Sequence, residues 1–393
     1  MKKHSLSYLY ANKKTLWKSN LFNDVWDEIH TGIMAVGDKP EKSLQFIKEG
    51  INSHSDDLST KGSMKGFIFC IRALLHEQKH ATIGLSQSVQ IADLAKSILV
   101  NQGIKPTGSS LSSHYGKLNY ILSQIYGAAG HPLKAAWLQE KAALSYDKSN
   151  YDKGFSLLSR GQSLLRLGEG PQAAKALNEA LAHLSPDSEY YNRVLFSLAS
   201  YYCIIGDSKN LELWHQKTCS LGDDILLKET EWLSCWVQCR QTQDYTPLMT
   251  KVLSRGSHAN GVYILEAKLI AYASKGHKWR NQLPKISSLM RSKKVHKKIS
   301  GKVIQVLKVL KDLYDEKIPL EIRLDDASKL LELSSRVLTV SEELLTASAL
   351  TRWLERNNLT DMAKLSFSKY SGLSFKLTAG KDSDCLGFFR NAN

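Results

Sequence analysis

Between Asn119 and Thr218 the chain alternates helix-like apolar segments with glycine breaks, and the breaks keep a fixed period: Gly130, Gly168 and Gly206 stand 38 residues apart. The surrounding pattern repeats with them. A small residue lies seven positions upstream of each (Ser123, Gly161, Ala199) and a bulky one four upstream (Tyr126, Leu164, Tyr202). Ala135, Ala173 and Leu211 follow at five downstream, and Ala142, Ala180 and Thr218 at twelve. Small residues at constant offsets let two antiparallel helices approach closely, while bulky ones fill the gap to the next pair. Glycine at the break suits the left-handed conformation that ends a helix. The expected fold class is therefore all-α, built from a helix-pair repeat.

The pattern resembles the tetratricopeptide repeat, a helix–turn–helix unit with small residues at these relative offsets. The best match is Leu157 to Pro186, through Gly161, Leu164, Gly168, Ala173, Leu177, Ala180 and Pro186. Asn119 to Asp147 follows through Leu122, Ser123, Tyr126, Gly130, Ala135 and Ala142. The segment from Leu195 keeps Leu198, Ala199, Tyr202 and Gly206-Asp207 but loses both alanines of its second helix. The period of 38 exceeds the family's roughly 34 and implies longer helices or linkers.

Further pairs are expected on both sides. Trp232 to Gly256 breaks near Asp244-Tyr245, Val262 to Arg291 at Gly276, Val25 to Asn52 at Gly37-Asp38, and Gly66 to Asn101 near Gly84. Residues 23–318 then form a right-handed α-solenoid of roughly six or seven pairs, with Gln102 to Ser113 its clearest loop. Residues 1–22 make a basic arm. Residues 319–393 read as a separate small α+β element: helices at Leu324–Leu333 and Ser341–Asn357, with Asp325 and Ser341 as candidate N-caps, then a β-hairpin over Lys364–Thr378 turning at Tyr370-Ser371-Gly372. That order fits a cap over the last apolar face, which terminal repeats require, and it also fits a winged-helix module.

Charge changes the picture only locally. The chain carries 53 basic and 38 acidic side chains, a net +15. Residues 1–20 supply +5, and residues 275–317, with thirteen Lys or Arg against Asp312, Asp315 and Glu316, supply +10. The rest is formally neutral. The basic patch Lys293, Lys294, Lys297 and Lys298 attracts phosphate, anionic lipid or acidic protein, and nucleic acid is an alternative partner through it. It has no interleaved aromatic platform, so base stacking is not indicated. Six cysteines are too sparse for a disulfide scaffold, and Ser5 to Lys18 offers no apolar signal-peptide core. A cytoplasmic protein without a transmembrane segment is the expectation.

Catalytic motifs are weak. His76-Glu77-Gln78-Lys79-His80 fits H-E-x-x-H, which on a helix sets two imidazoles on Zn²⁺ and a glutamate on water. Lys79 sets a cation beside the metal, and no downstream ligand stands in a zincin-like context. Zinc hydrolysis is the remote reading. Cys235 and Cys239, with Cys203, His215 and Cys219, lack C-x-x-C or finger spacing and read as helix packing. No phosphate-binding glycine loop and no nucleophile elbow are present, so no enzyme, cofactor or metal is expected.

The resemblance to the tetratricopeptide repeat implies partner binding on the concave face, by first-helix residues. In the three matching repeats these are Lys117, Tyr120 and Gln124; Leu158, Gln162 and Arg166; and Arg193, Phe196 and Ser200. The leading expectation is a scaffold or adaptor holding a peptide or protein. The alternative is a nucleic-acid-binding regulator using residues 275–317 and a winged-helix-like C-terminus.

Overall fold

A computed structural model describes residues 85–101, 103, 105–108, 112–146, 151–221, 224–242, 244–255, 301–337, 340–382 and 384–385. Among these residues all regular structure is helical, with no strand. The helices are α1 (Leu85–Asn101), α2 (Ser113–Ala128), α3 (Pro132–Leu144), α4 (Tyr151–Arg166), α5 (Gly170–Leu181), α6 (Glu189–Ile205), α7 (Ser208–Leu221), α8 (Asp224–Thr242) and α9 (Thr246–Arg255). After residue 300 come α10 (Gly301–Leu313), α11 (Leu320–Val337), α12 (Val340–Arg356) and α13 (Thr360–Leu377). The expected arm at 1–22, the pair at Val25–Asn52, the break at Gly84, the pair at Val262–Arg291, the His76–His80 motif and the lysines at 293–298 lie outside the described residues.

The periodic glycines are the turns. Gly130, Gly168 and Gly206 all adopt positive φ, at 84°, 80° and 73°. The same two hydrogen bonds close each helix. The glycine N–H donates three residues back, to Gly127, Leu165 and Cys203 O at 3.2, 3.0 and 3.1 Å. The next N–H donates five back, to Tyr126, Leu164 and Tyr202 O at 2.9 Å in every case. This is a Schellman closure, which satisfies carbonyls that a helix end leaves unpaired and requires a left-handed residue. The following helix starts at once: Pro132 occupies the first turn of α3, and Asp207 Oδ1 accepts the Asn210 N–H at 3.0 Å to cap α7.

The period continues past the segments where glycine marks it. Asp244-Tyr245 separates α8 from α9, and Tyr245 O accepts from Met249 N–H at 3.1 Å, the bond that Asp207 O makes with Leu211 N–H at 3.0 Å. Asn358 stands 152 residues, four periods of 38, after Gly206. It adopts φ 59° and closes α12 through the same pair of bonds, Asn358 N–H to Glu355 O at 3.2 Å and Leu359 N–H to Leu354 O at 3.0 Å. Its neighbours at the repeat offsets, Thr351, Leu354, Ala363 and Tyr370, are all buried. The α12–α13 hairpin thus has the turn geometry of the other pairs.

The C-terminal hairpin expectation is corrected accordingly. Lys364–Leu377 lies within α13, and its buried positions Ala363, Ser366, Tyr370, Ser374 and Leu377 fall at three- and four-residue steps. One strip of a helix is buried there, whereas the apolar positions of the sequence alternation include Leu365 and Phe375, both more than half exposed. Asp325 is also no N-cap: α11 begins at Leu320, and Asp325 instead pairs with Lys329 at 2.5 Å. Ser341 is the second residue of α12, which begins at Val340.

The described residues form two compact units. One runs to Ser163 and adds Ala176–Ser185; the other comprises Leu164–Lys175 and the chain from Pro186. In the first, α1 packs on α2 and α2 on α3. In the second, α6, α7 and α8 pack mutually, α8 packs on α9, and α10 to α13 pack each on the next. The Gly168 turn belongs to the second unit because α13 lies against it. A Cβ on Gly168 would come within 2.7 Å of Leu373, and one on Gly170 within 2.3 Å of the Leu377 carbonyl oxygen. Tyr201 of α6 donates its hydroxyl to that same oxygen at 3.1 Å. Burial, with Tyr202 and Asp207 nearby, pushes the Tyr201 pKa up to about 12, so the hydroxyl remains a donor throughout the neutral range.

Two glycine substitutions separate these assignments. Gly170→Ala should destabilise the protein by about 2 kcal/mol, because the new methyl meets backbone and the Tyr201 ring. Gly372→Ala, in a helix interior with nothing within 4 Å, should stabilise it by about 0.5–1 kcal/mol. Urea unfolding checks both signs; a loss at Gly372 would restore a turn at Tyr370-Ser371-Gly372.

Candidate partner-binding site

The nine residues expected on first-helix faces divide between the two units. Lys117, Tyr120, Gln124, Leu158 and Gln162 belong to the first; Arg166, Arg193, Phe196 and Ser200 belong to the second. Gln162, Arg166 and Arg193 are exposed. Lys117, Gln124, Phe196 and Ser200 are half-buried. Leu158 is only 2% exposed and is a core residue, a correction to its assignment as a contact. Tyr120, at the equivalent position, rests on Phe155 with ring centroids 5.0 Å apart and shares a 3.0 Å hydrogen bond with Ser159. At these two repeat positions the side chain serves packing.

The exposed arginines are also engaged. Arg193 pairs with Glu189 one turn earlier and lies over the Tyr190 ring at 5.2 Å. Arg166 is close enough to act on Glu343 of α12. Burial raises the Glu343 pKa above the usual carboxylate range, and Lys369 and Arg166 pull it back down.

The first unit holds a cleft of about 330 Å³ that the repeat pattern does not reveal. Its walls come from Lys96 of α1, Pro106 of the α1–α2 connection, Tyr115 and Asn119 of α2, and Trp137, Lys141 and Leu144 of α3. Close approach of α2 and α3 sets its width. The Tyr146 ring lies where a Cβ on Gly116 would fall, 2.6 Å away, and Ser112 Oγ donates to Ser145 O at 3.0 Å. Trp137 is 47% exposed, and the Lys134 and Lys141 ammonium groups lie 4.7 and 5.7 Å from its ring centroid. These lysines are three residues before and four after the tryptophan, on one helix face. Burial lowers the Lys96 pKa; Asp93 at 3.8 Å opposes this, and Lys134 adds to it. Only the Lys134-Trp137-Lys141 spacing was visible in the sequence, since α1 and the Pro106 connection join the cleft through tertiary contact.

Among the described residues no three His, Cys, Asp or Glu side chains converge. Cys203 donates to Leu233 O at 3.5 Å, and Cys219 lies 3.8 Å from His215 Nε2. Cys235 and Cys239 interact with each other on α8. The hydrogen bond from Cys239 lowers the Cys235 pKa to about 7 against the opposing effect of burial, and Lys251 assists. Cys239, fully buried, is pushed the other way, chiefly by the same bond.

No protein-family model, curated protein or solved structure matches this chain. Among the described residues no helix is long and apolar enough to cross a membrane.

The thiol pair has a direct signature. Peptide-resolved alkylation should show Cys235 reacting with a midpoint near pH 7, because only its thiolate is nucleophilic. Cys239→Ala removes the donor and should move that midpoint upward. An unchanged midpoint would mean that the pair does not interact.

Proposed function

We propose that this chain is a non-enzymatic scaffold or adaptor, a right-handed α-solenoid of tetratricopeptide-like helix pairs that binds a peptide or partner protein on its first-helix faces. The observation that supports this reading is the recurrence of one turn: three left-handed glycines 38 residues apart, each closing its helix with the same pair of hydrogen bonds. Helix pairs stacked in this way bury their shared faces and leave first-helix side chains exposed, a surface suited to an extended partner. Gln162, Arg166 and Arg193 supply polar, charge-assisted contacts on that surface. Phe196, half-buried, adds apolar area at its edge.

The combined variant Gln162→Ala, Arg166→Ala, Arg193→Ala should lose its co-purifying protein, with binding weakened at least about tenfold, while far-UV helicity is retained. Affinity purification from native lysate, followed by mass spectrometry, reads this. An identical set of captured proteins with the variant would remove these residues from the interface.

A further inference from the structure

We propose that the cleft framed by α1, α2 and α3 receives an acidic peptide segment of a partner protein, one large apolar side chain seating against Trp137 and its flanking carboxylates meeting Lys134 and Lys141. The assignment rests on the scaffold reading above and names one site and one ligand chemistry for it.

Charge complementarity is the first argument. Lys134 and Lys141 have no carboxylate partner among the described residues; their ammonium groups lie at the Trp137 ring instead. A ring holds a solvated cation weakly, by about 0.5–1 kcal/mol, so both lysines can transfer to a carboxylate at small cost. Among the described residues, the acids of α1, α2 and α3 are already committed: Asp93 to Lys96 at 3.8 Å, and Glu140 to Arg160 at 3.0 Å. Among the described residues the rim therefore carries uncompensated positive charge, which attracts an anionic partner.

The walls narrow the choice. Pro106, Tyr115, Trp137 and Leu144 present rings and methyl groups, and the cleft's 330 Å³ is at the low end of ligand pockets, room for one anchoring side chain. Trp137 and Leu144 remain 47% and 58% exposed, an apolar surface beside bare cations. Asn119 brings a side-chain amide to the lining, with the donor and acceptor that a peptide group needs. A phosphate ligand would be better served by a guanidinium fork or a row of backbone N–H groups, and no arginine lines the cleft. An apolar anchor flanked by carboxylates satisfies every feature together.

The test uses the purified full chain and a fluorescein-labelled eight-residue peptide of glutamates around a central phenylalanine, followed by anisotropy. Saturable binding is expected, lost when glutamine replaces the glutamates or alanine the phenylalanine. The protein variants Trp137→Ala and Lys134→Glu/Lys141→Glu should each weaken it at least about tenfold. All replaced side chains are on the surface of α3, and an unchanged melting temperature establishes that the fold is intact. Binding that is absent, or equal in wild type and both variants, overturns the proposal; so does tighter binding of ATP in competition, which would make the cleft a nucleotide site. The Gln162/Arg166/Arg193 variant should bind this peptide normally. If that variant alone loses the cellular partner and the cleft variants keep it, the scaffold reading stands and the cleft assignment falls.

Discussion

Helix reversal through a left-handed residue is the constraint on which the rest of the fold depends. An α-helix ends with unpaired carbonyls, and a chain that must turn back immediately can satisfy them only by a local closure. At Gly130, Gly168 and Gly206 that closure is the same to within a few tenths of an ångström. The repetition fixes where the second helix of each pair begins, and so which side chains face the first. Ala135, Ala173 and Leu211 then fall into the interface at five residues beyond the turn, and Ala142, Ala180 and Thr218 at twelve. The strength of the constraint is visible where glycine is missing. Asn358 and Ala379 take positive φ despite their side chains, which costs an L-residue roughly 1–2 kcal/mol, and both end helices with the same type of bond.

A second constraint acts on one of these turns alone. Gly168 and Gly170 sit under α13, and the Leu377 carbonyl accepts from Tyr201 at the same place. Glycine there serves two purposes, the left-handed closure and the approach of another helix. The end of α13 is secured in turn by the chain beyond it. Thr378 Oγ1 bonds both to Ser374 O and to the Asp382 backbone, and Tyr370 donates to Asp384 at 2.6 Å in a buried setting. Residues far apart in sequence thus meet around one turn, a contact no local pattern announces.

This division explains what could be read from the sequence. The glycine turns were legible because the backbone conformation demands a particular residue, and their spacing repeats. The α12–α13 pair was not, since asparagine stands at the turn and threonine at the small position seven before it. The α13 sequence has the look of a hairpin because Gly372, unstrained and exposed in the helix interior, resembles a turn residue, and the flanking serines and aromatics alternate over a few positions. Surface residues transfer less well than turns. Leu158 and Tyr120 occupy equivalent repeat positions and were assigned to a binding face, yet one is core and the other lies on Phe155. The family offset locates a helix face; the size of the neighbouring side chain decides whether that face reaches solvent.

Charge makes the same distinction between composition and placement. The net +15 suggests a basic protein, but all of its excess falls in two short segments. The cleft of the first unit is electropositive for another reason: Lys134 and Lys141 lie at the Trp137 ring, while among the described residues Asp93 and Glu140 are paired elsewhere. A local field of this kind depends on which carboxylates are already engaged, and it arises outside the two segments that carry the chain's net charge. It also has a shape, since the ammonium groups stand at the ends of flexible stems around an apolar surface. Such an arrangement discriminates by the combination of an anion and an apolar side chain in one ligand. A ligand offering only one of these would forfeit either the electrostatic or the desolvation component of binding.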